Sequence, residues 1–234
     1  RLEKGDHLEF LNELLKGSPA LARKVLYDIE DYIQLFENGT ELADVNIAPV
    51  VKAVSEGFAP LVEQKGLAYK MDIPNDELWA KDINEGLLRI VLNNLISNAI
   101  KFTEKGEISV NLSTQFANGK NKVIFEVSDT GVGVPESEQS DIFNSMTRAT
   151  NVRDDPRLPG TGEGLSIVKK AVKHMKGNVW VESELGKGST FTLEFPQAQS
   201  DAARMDGGVV LMSKEDEARI DAIIDEVWSN DVIQ

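Results

Sequence analysis

The chain of 234 residues contains no cysteine. Disulfides and thiolate metal sites are therefore excluded, and the absence fits a reducing compartment such as the cytoplasm. No run is long and apolar enough to span a bilayer as a helix, and no signal peptide opens the chain. Arg1 in place of Met gives the expectation of a piece of a longer protein, with an upstream membrane anchor left open. Cations are in deficit: 25 Lys and Arg stand against 39 Asp and Glu, a formal net charge of −14. That balance argues against a nucleic-acid or anionic-membrane surface, which needs clustered Lys and Arg. It leaves room for a nucleotide, which needs only a few local donors. No internal repeat is visible. There is no P-loop, which would need Gly-Lys-Ser/Thr, and no dinucleotide fingerprint in a strand–turn–helix unit.

What is present is enough for a core, at 41% hydrophobic residues. The length allows one medium domain with an appendage, or two small domains. Patterning divides the chain into residues 1–43, 44–199 and 200–234. Over residues 8–37, Leu11, Leu15, Ser18, Ala22, Val25, Ile29, Tyr32 and Phe36 follow steps of four and three, the seam of a coiled coil or bundle helix, with an ordinary amphipathic helix packed on its own domain as the alternative. Gly17-Ser18-Pro19 interrupts or kinks it. From about Asp44, strands and helices alternate. Strands are expected at 45–47, 67–73, 78–81, 107–114, 123–128, 178–182 and 190–195. Helices are expected at 49–65, 84–102 and 163–176. The mixture predicts an α/β fold, a two-layer sandwich with helices on one face of the sheet. Residues 197–234 turn acidic, and 213–228 read as an amphipathic helix with Ile220, Ile223, Ile224 and Val227 as its apolar stripe. That helix either docks on its own domain or meets a partner.

Three segments carry the chemistry. In the helix over 84–102, Asn94, Asn98 and Lys101 fall at i, i+4 and i+7 and share a face. Amide oxygens suit Mg²⁺, and a lysine one turn on suits a phosphate. Taken alone, the same face reads better as a solvated stripe. Asp129 ends a strand, where its carboxylate can accept a hydrogen bond from an exocyclic amine such as that of adenine. Gly131 and Gly133 let the backbone approach a flat base. Taken alone, this is an ordinary turn. The second loop, Gly160-Thr161-Gly162-Glu163-Gly164-Leu165, precedes a helix, and its amides together with the helix N-terminus suit phosphates. The stretch from Phe143 to Gly160 reads as a mobile lid.

In that order the segments resemble the catalytic and ATP-binding domain of sensor histidine kinases, within the wider Bergerat-fold ATPases. The resemblance covers residues 44–196. Asn94-Leu95-Ile96-Ser97-Asn98-Ala99-Ile100-Lys101-Phe102-Thr103 is similar to the family's asparagine box, and Asp129-Thr130-Gly131-Val132-Gly133 to its first glycine box. Phe143 begins a weakened phenylalanine box, and 160–165 resembles the second glycine box. Residues 181–191 resemble the closing hairpin. The resemblance implies ATP and Mg²⁺ as ligands, with Asn94 and Asn98 holding the metal and phosphate. It implies phosphate contacts for Lys101, adenine on Asp129, and nucleotide contacts for Gly131, Gly133, Gly160, Thr161, Gly162, Gly164 and Leu165. It further implies a homodimer through the N-terminal helix and a response regulator or receiver domain as partner.

Related chaperone and mismatch-repair ATPases carry a glutamate where Asn94 stands. Asparagine is no general base, so the site is expected to hold ATP for another nucleophile, in these kinases a histidine. The chain has two histidines. His174 is expected on a surface, and His7 lacks the acidic and Pro-containing context of an acceptor, so none is assigned. Glu163 occupies a usually apolar position beside the phosphates, and Met146 stands where a second aromatic is common. These departures leave a non-catalytic regulator as the rival reading, and a serine kinase of the anti-sigma type as a third.

Overall fold

The computed structural model describes residues 41–117, 119–145, 147–153, 155 and 162–198. The expected seam helix over 8–37, the acidic helix over 213–228, and Met146, Gly160 and Thr161 lie outside the described residues.

The described chain runs β1 (Ala43–Asn46), α1 (Ile47–Gln64), β2 (Ala68–Asp72), β3 (Trp79–Ile83), α2 (Glu85–Phe102), β4 (Glu107–Ala117), β5 (Lys120–Asp129), a single 3₁₀ turn (Glu136–Glu138), α3 (Thr150–Arg153), α4 (Gly164–His174), β6 (Asn178–Glu184) and β7 (Gly188–Pro196). Five strands form one sheet in the order β2-β4-β5-β7-β6. Only β2 and β4 pair parallel; the other neighbours are antiparallel. The expected two-layer α/β sandwich is what forms.

Register explains which face is covered. Val110 pairs with Val127 and Leu112 with Phe125 across β4 and β5. Val127 then pairs with Phe191, Phe125 with Leu193, and Val123 with Phe195 across β5 and β7. Alternation along each strand puts these side chains on one face, and all are buried. Asn111, Glu126 and Thr192 fall in register on the opposite face, as do Ser109, Ser128 and Thr190. Helices cover the apolar face through stripes at helical spacing. Ile47, Val50, Val51, Val54 and Val62 bury from α1, and Leu88, Val91, Leu92, Leu95, Ile96 and Ala99 bury from α2. From α4 come Ile167, Val168, Ala171 and Val172. Each Val, Leu or Ile among them removed from water contributes about 1.5–3 kcal/mol before chain entropy is counted.

Several expected boundaries move. Ile47 opens α1 rather than closing β1, because Pro49 suits a first helical turn. The α1 helix also runs through Pro60. Strands β1 and β3 do not join the main sheet but make their own antiparallel pair. The Ala198 amide donates to the Trp79 carbonyl at 2.9 Å, tying that pair to the end of β7. Strands β4 and β5 extend to Ala117 and from Lys120, beyond the alternation legible in sequence. The expected lid stretch contains α3, and Thr150 at its start gives its amide and hydroxyl to Glu138 at 2.8 and 2.6 Å. Phe143 is buried edge-on against Phe191, with ring centroids 6.2 Å apart. The start of that stretch is thus part of the core.

Candidate functional site

Helix α2 is the spine of the site. Asn84 caps it, accepting the Leu87 amide at 3.0 Å, and Glu85 in the first turn suits the positive end of the helix dipole. Its apolar stripe locks its rotation. Asn94, Asn98 and Lys101 are consequently half-buried at the margin of that stripe. The Asn94 amide nitrogen donates back to the Ile90 carbonyl at 3.0 Å, which leaves Oδ1 directed elsewhere. That oxygen lies against Gly164: a Cβ built there would sit 2.5 Å from it. No side chain larger than hydrogen fits at Gly164 without moving Asn94. The asparagine box and the second glycine loop are therefore in direct contact. Lys101 Nζ sits 4.8 Å from the centroid of the Phe102 ring.

The first glycine loop meets the other end of α2. The Val132 amide donates to the Phe102 carbonyl at 3.3 Å. A Cβ on Gly131 would collide with the same carbonyl oxygen, so glycine is required by close approach. The Gly131 amide in turn donates to Asp129 Oδ1 at 2.8 Å. Asp129 is only 9% exposed. Burial pushes its carboxyl up to about 6, against the opposing pull of hydrogen bonds from the Gly131 and Ser189 amides. A buried carboxylate this short of donors is suited to accept one more, such as an exocyclic amine. Gly133 has φ 68 and stacks its backbone on Glu184 of the β6–β7 hairpin. The Gly186 amide closes this contact on the Val132 carbonyl at 2.8 Å.

Within the second loop, Gly162 has φ 80 and Glu163 is the residue before α4. The Glu163 carboxylate accepts the hydroxyls of Ser166 at 2.8 Å and Ser145 at 3.2 Å. The charge that sequence places beside the phosphates is thus engaged with two hydroxyls. Leu165 is partly buried against the core. His174 is exposed in the last turn of α4, as expected of a surface residue. Thr103, at the end of α2, is fully buried, and its hydroxyl has no hydrogen-bond partner among the described residues.

Sequence reasoning expected Asn94, Asp129, Gly131 and Gly164 in one site; the structure puts Gly164 against Asn94, and Gly131 against Asp129 and the Phe102 carbonyl of the same helix. Sequence reasoning missed Ser189, whose amide reaches Asp129, and Ser145. The closing-hairpin motif held the first signal, since a turn at Gly188 packs its backbone on Asp129. For Ser145 there was no signal, because its partner Glu163 is 18 residues away across the lid stretch.

Comparison with known proteins agrees with this geometry. Residues 83–199 match the family model of histidine kinase-, DNA gyrase B- and HSP90-like ATPases. The chain is 37% identical over 228 residues to the circadian input-output histidine kinase CikA of Synechococcus elongatus, covering 92% of this chain and 28% of that protein. It is 34% identical over 179 residues to the autoinducer 2 sensor kinase/phosphatase LuxQ of Vibrio vulnificus, covering 74% of this chain and 20% of that protein. The chain thus spans well under half the length of these relatives. Full-length ShkA in complex with AMPPNP superposes with a TM-score of 0.59 at 30% identity, covering 86% of this chain and 40% of that one. Family match, sheet order and the meeting of both glycine loops on one asparagine-bearing helix lead to one assignment: the chain belongs to the histidine kinase-, DNA gyrase B- and HSP90-like ATPases and contains an ATP-binding domain of the sensor histidine kinase type.

Proposed function

We propose that the chain binds Mg-ATP and donates the γ-phosphoryl group to a histidine not identified in this chain, as the core of a two-component protein-histidine kinase. The observation that carries this reading is the convergence on α2. Gly164 abuts Asn94 at one level, and Gly131 abuts Phe102 two turns further on. The residues fit the ligand. Asp129 is a buried carboxylate at the end of β5, and the second loop ends at the N-terminus of α4. Asp129 accepts the exocyclic amine of the base, and the α4 N-terminus receives phosphate oxygens. For the metal, the amide oxygens of Asn94 and Asn98 are hard donors that leave coordination places for phosphate and water. Among the described residues no cluster of three His, Cys, Asp or Glu could hold an ion.

Bound Mg-ATP supplies an electrophilic γ-phosphorus with ADP as its leaving group. Asn94 cannot take a proton from water at neutral pH, so the site retains its ligand until an imidazole nitrogen is presented. The acceptor would belong to a helical hairpin of which residues 8–37 would be one arm. Through that arm the protein would form a homodimer and address a response regulator or receiver domain, with the site on the cytoplasmic side. The rival reading, a non-catalytic regulator, rests on the missing phosphoacceptor motif and on the departures at Glu163 and Met146; the hydroxyls of Ser145 and Ser166 hold the Glu163 carboxylate but bring it no compensating positive charge. The test is transfer of label from γ-labelled ATP to a full-length protein that includes the upstream hairpin. Acid-labile, base-stable labelling is expected; absence of label in a protein that binds ADP would favour the regulator.

A further inference from the structure

Lys65 closes α1, and Gly66 follows it with φ 69, so the chain reverses and the lysine side chain is thrown across to the neighbouring helix. Its ammonium donates to three carbonyls at the C-terminal end of α2. These are Ile100, Lys101 at 3.3 Å and Thr103 at 2.9 Å. The carbonyls that end a helix have no intrahelical partners and carry the negative pole of its dipole. One cation here satisfies several of them. The Phe102 carbonyl is the exception in this run. It receives the Val132 amide instead and forms the wall against which Gly131 packs. The last turn of α2 is therefore gripped from two sides, by Lys65 behind and by the first glycine loop in front. Gly131 then delivers its amide to Asp129.

We propose that Lys65 is a positioning residue for base recognition: by holding the 100–103 carbonyls it sets the Phe102 wall, which sets the Gly131–Asp129 geometry. It does not touch nucleotide itself. The inference rests on the ATP-binding reading above for its ligand, but its structural half can be tested without any ligand.

Lys65→Met removes the ammonium and keeps the aliphatic stem; Lys65→Gln keeps a neutral donor; Lys65→Arg keeps the charge and multiple donors. Calorimetry with ADP on the full chain should show about tenfold weaker binding for Lys65→Met, with Lys65→Arg within about threefold of wild type, as expected for coupling through one packed contact. In parallel, amide exchange without nucleotide should accelerate at Val132 in Lys65→Met while β5 amides such as Val127 keep their protection. If the Met variant folds and Val132 exchange is unchanged, the proposal fails. It fails equally if all amides accelerate together, or if Arg does not restore ADP affinity. If neither the Met nor the Gln variant folds, Lys65 is a determinant of folding and the positioning role is overturned. Wild-type protein that binds no ADP would defeat the ATP-binding reading and leave the exchange result to stand or fall by itself.

Discussion

At Asp129 the cost of burying a charge can be set against its proposed role in base recognition. Its folded carboxyl titrates at about 6, above the ordinary 3.8, because burial disfavours the charge. A raised acid pKa favours the folded state fully below the unfolded value, and that contribution is lost as pH rises through 6. At pH 7 the buried charge costs the fold about 3 kcal/mol, since a tenfold change in proton affinity is worth about 1.36 kcal/mol. Asp129→Asn is therefore expected to stabilise the nucleotide-free protein at pH 7 by ~1–3 kcal/mol, with the gain fading toward pH 4. The same change removes a charge-assisted acceptor and should weaken ADP by about 1.5–3 kcal/mol. Urea unfolding at the two pH values and calorimetry with ADP check both halves. Unchanged ADP binding in the folded variant would take Asp129 out of the site. Glu163 poses the opposite question, since Ser145 and Ser166 occupy its carboxylate. Glu163→Leu should raise ATP affinity only slightly, by less than about fivefold, and mainly at low salt where Coulombic repulsion is unscreened. A flat response across a salt series would mean that the side chain exerts no field on the phosphates.

At the level of elements, α2 is where sequence and structure agree most closely. Its apolar period set its rotation, and Asn94 and Asn98 follow at the margin. Asn98→Ala should abolish the Mg²⁺-dependent part of ATP binding and leave the metal-free part intact. Titrations with and without Mg²⁺ separate these, and equal losses in both would exclude Asn98 as a ligand. The glycine loop depends on α2 just as closely. Gly131→Ala drives a methyl into the Phe102 carbonyl, so the loop must lift away. The expected cost is about 1–3 kcal/mol of stability, typical of overpacking, with ADP binding lost alongside. Retained ADP affinity in that variant would show that the base is not read from this loop.

For the whole molecule, the described residues form a sandwich whose apolar sheet face is fully covered by its own helices. The seam expected from sequence over residues 8–37, which a single helix could not bury alone, is the proposed source of assembly. The full chain is expected to dimerise, and a version beginning at Asp44 to be monomeric while still binding ADP. Light scattering at several concentrations decides this; equal monomeric masses for both would count against a bundle.

The sequence by itself determined most of the element types and the apolar faces, and it gave the expectation of which segments meet the nucleotide. All of these follow from local periodicity, glycine and asparagine placement, and strand alternation, which act over a few residues. It could not determine that β1 and β3 pair apart from the main sheet, that Asn94 Oδ1 meets Gly164, or that Lys65 grips the end of α2. Nor could it show that two serines engage Glu163. Those contacts join residues far apart in the chain. They depend on how the helices settle on the sheet, and packing rather than propensity decides that arrangement.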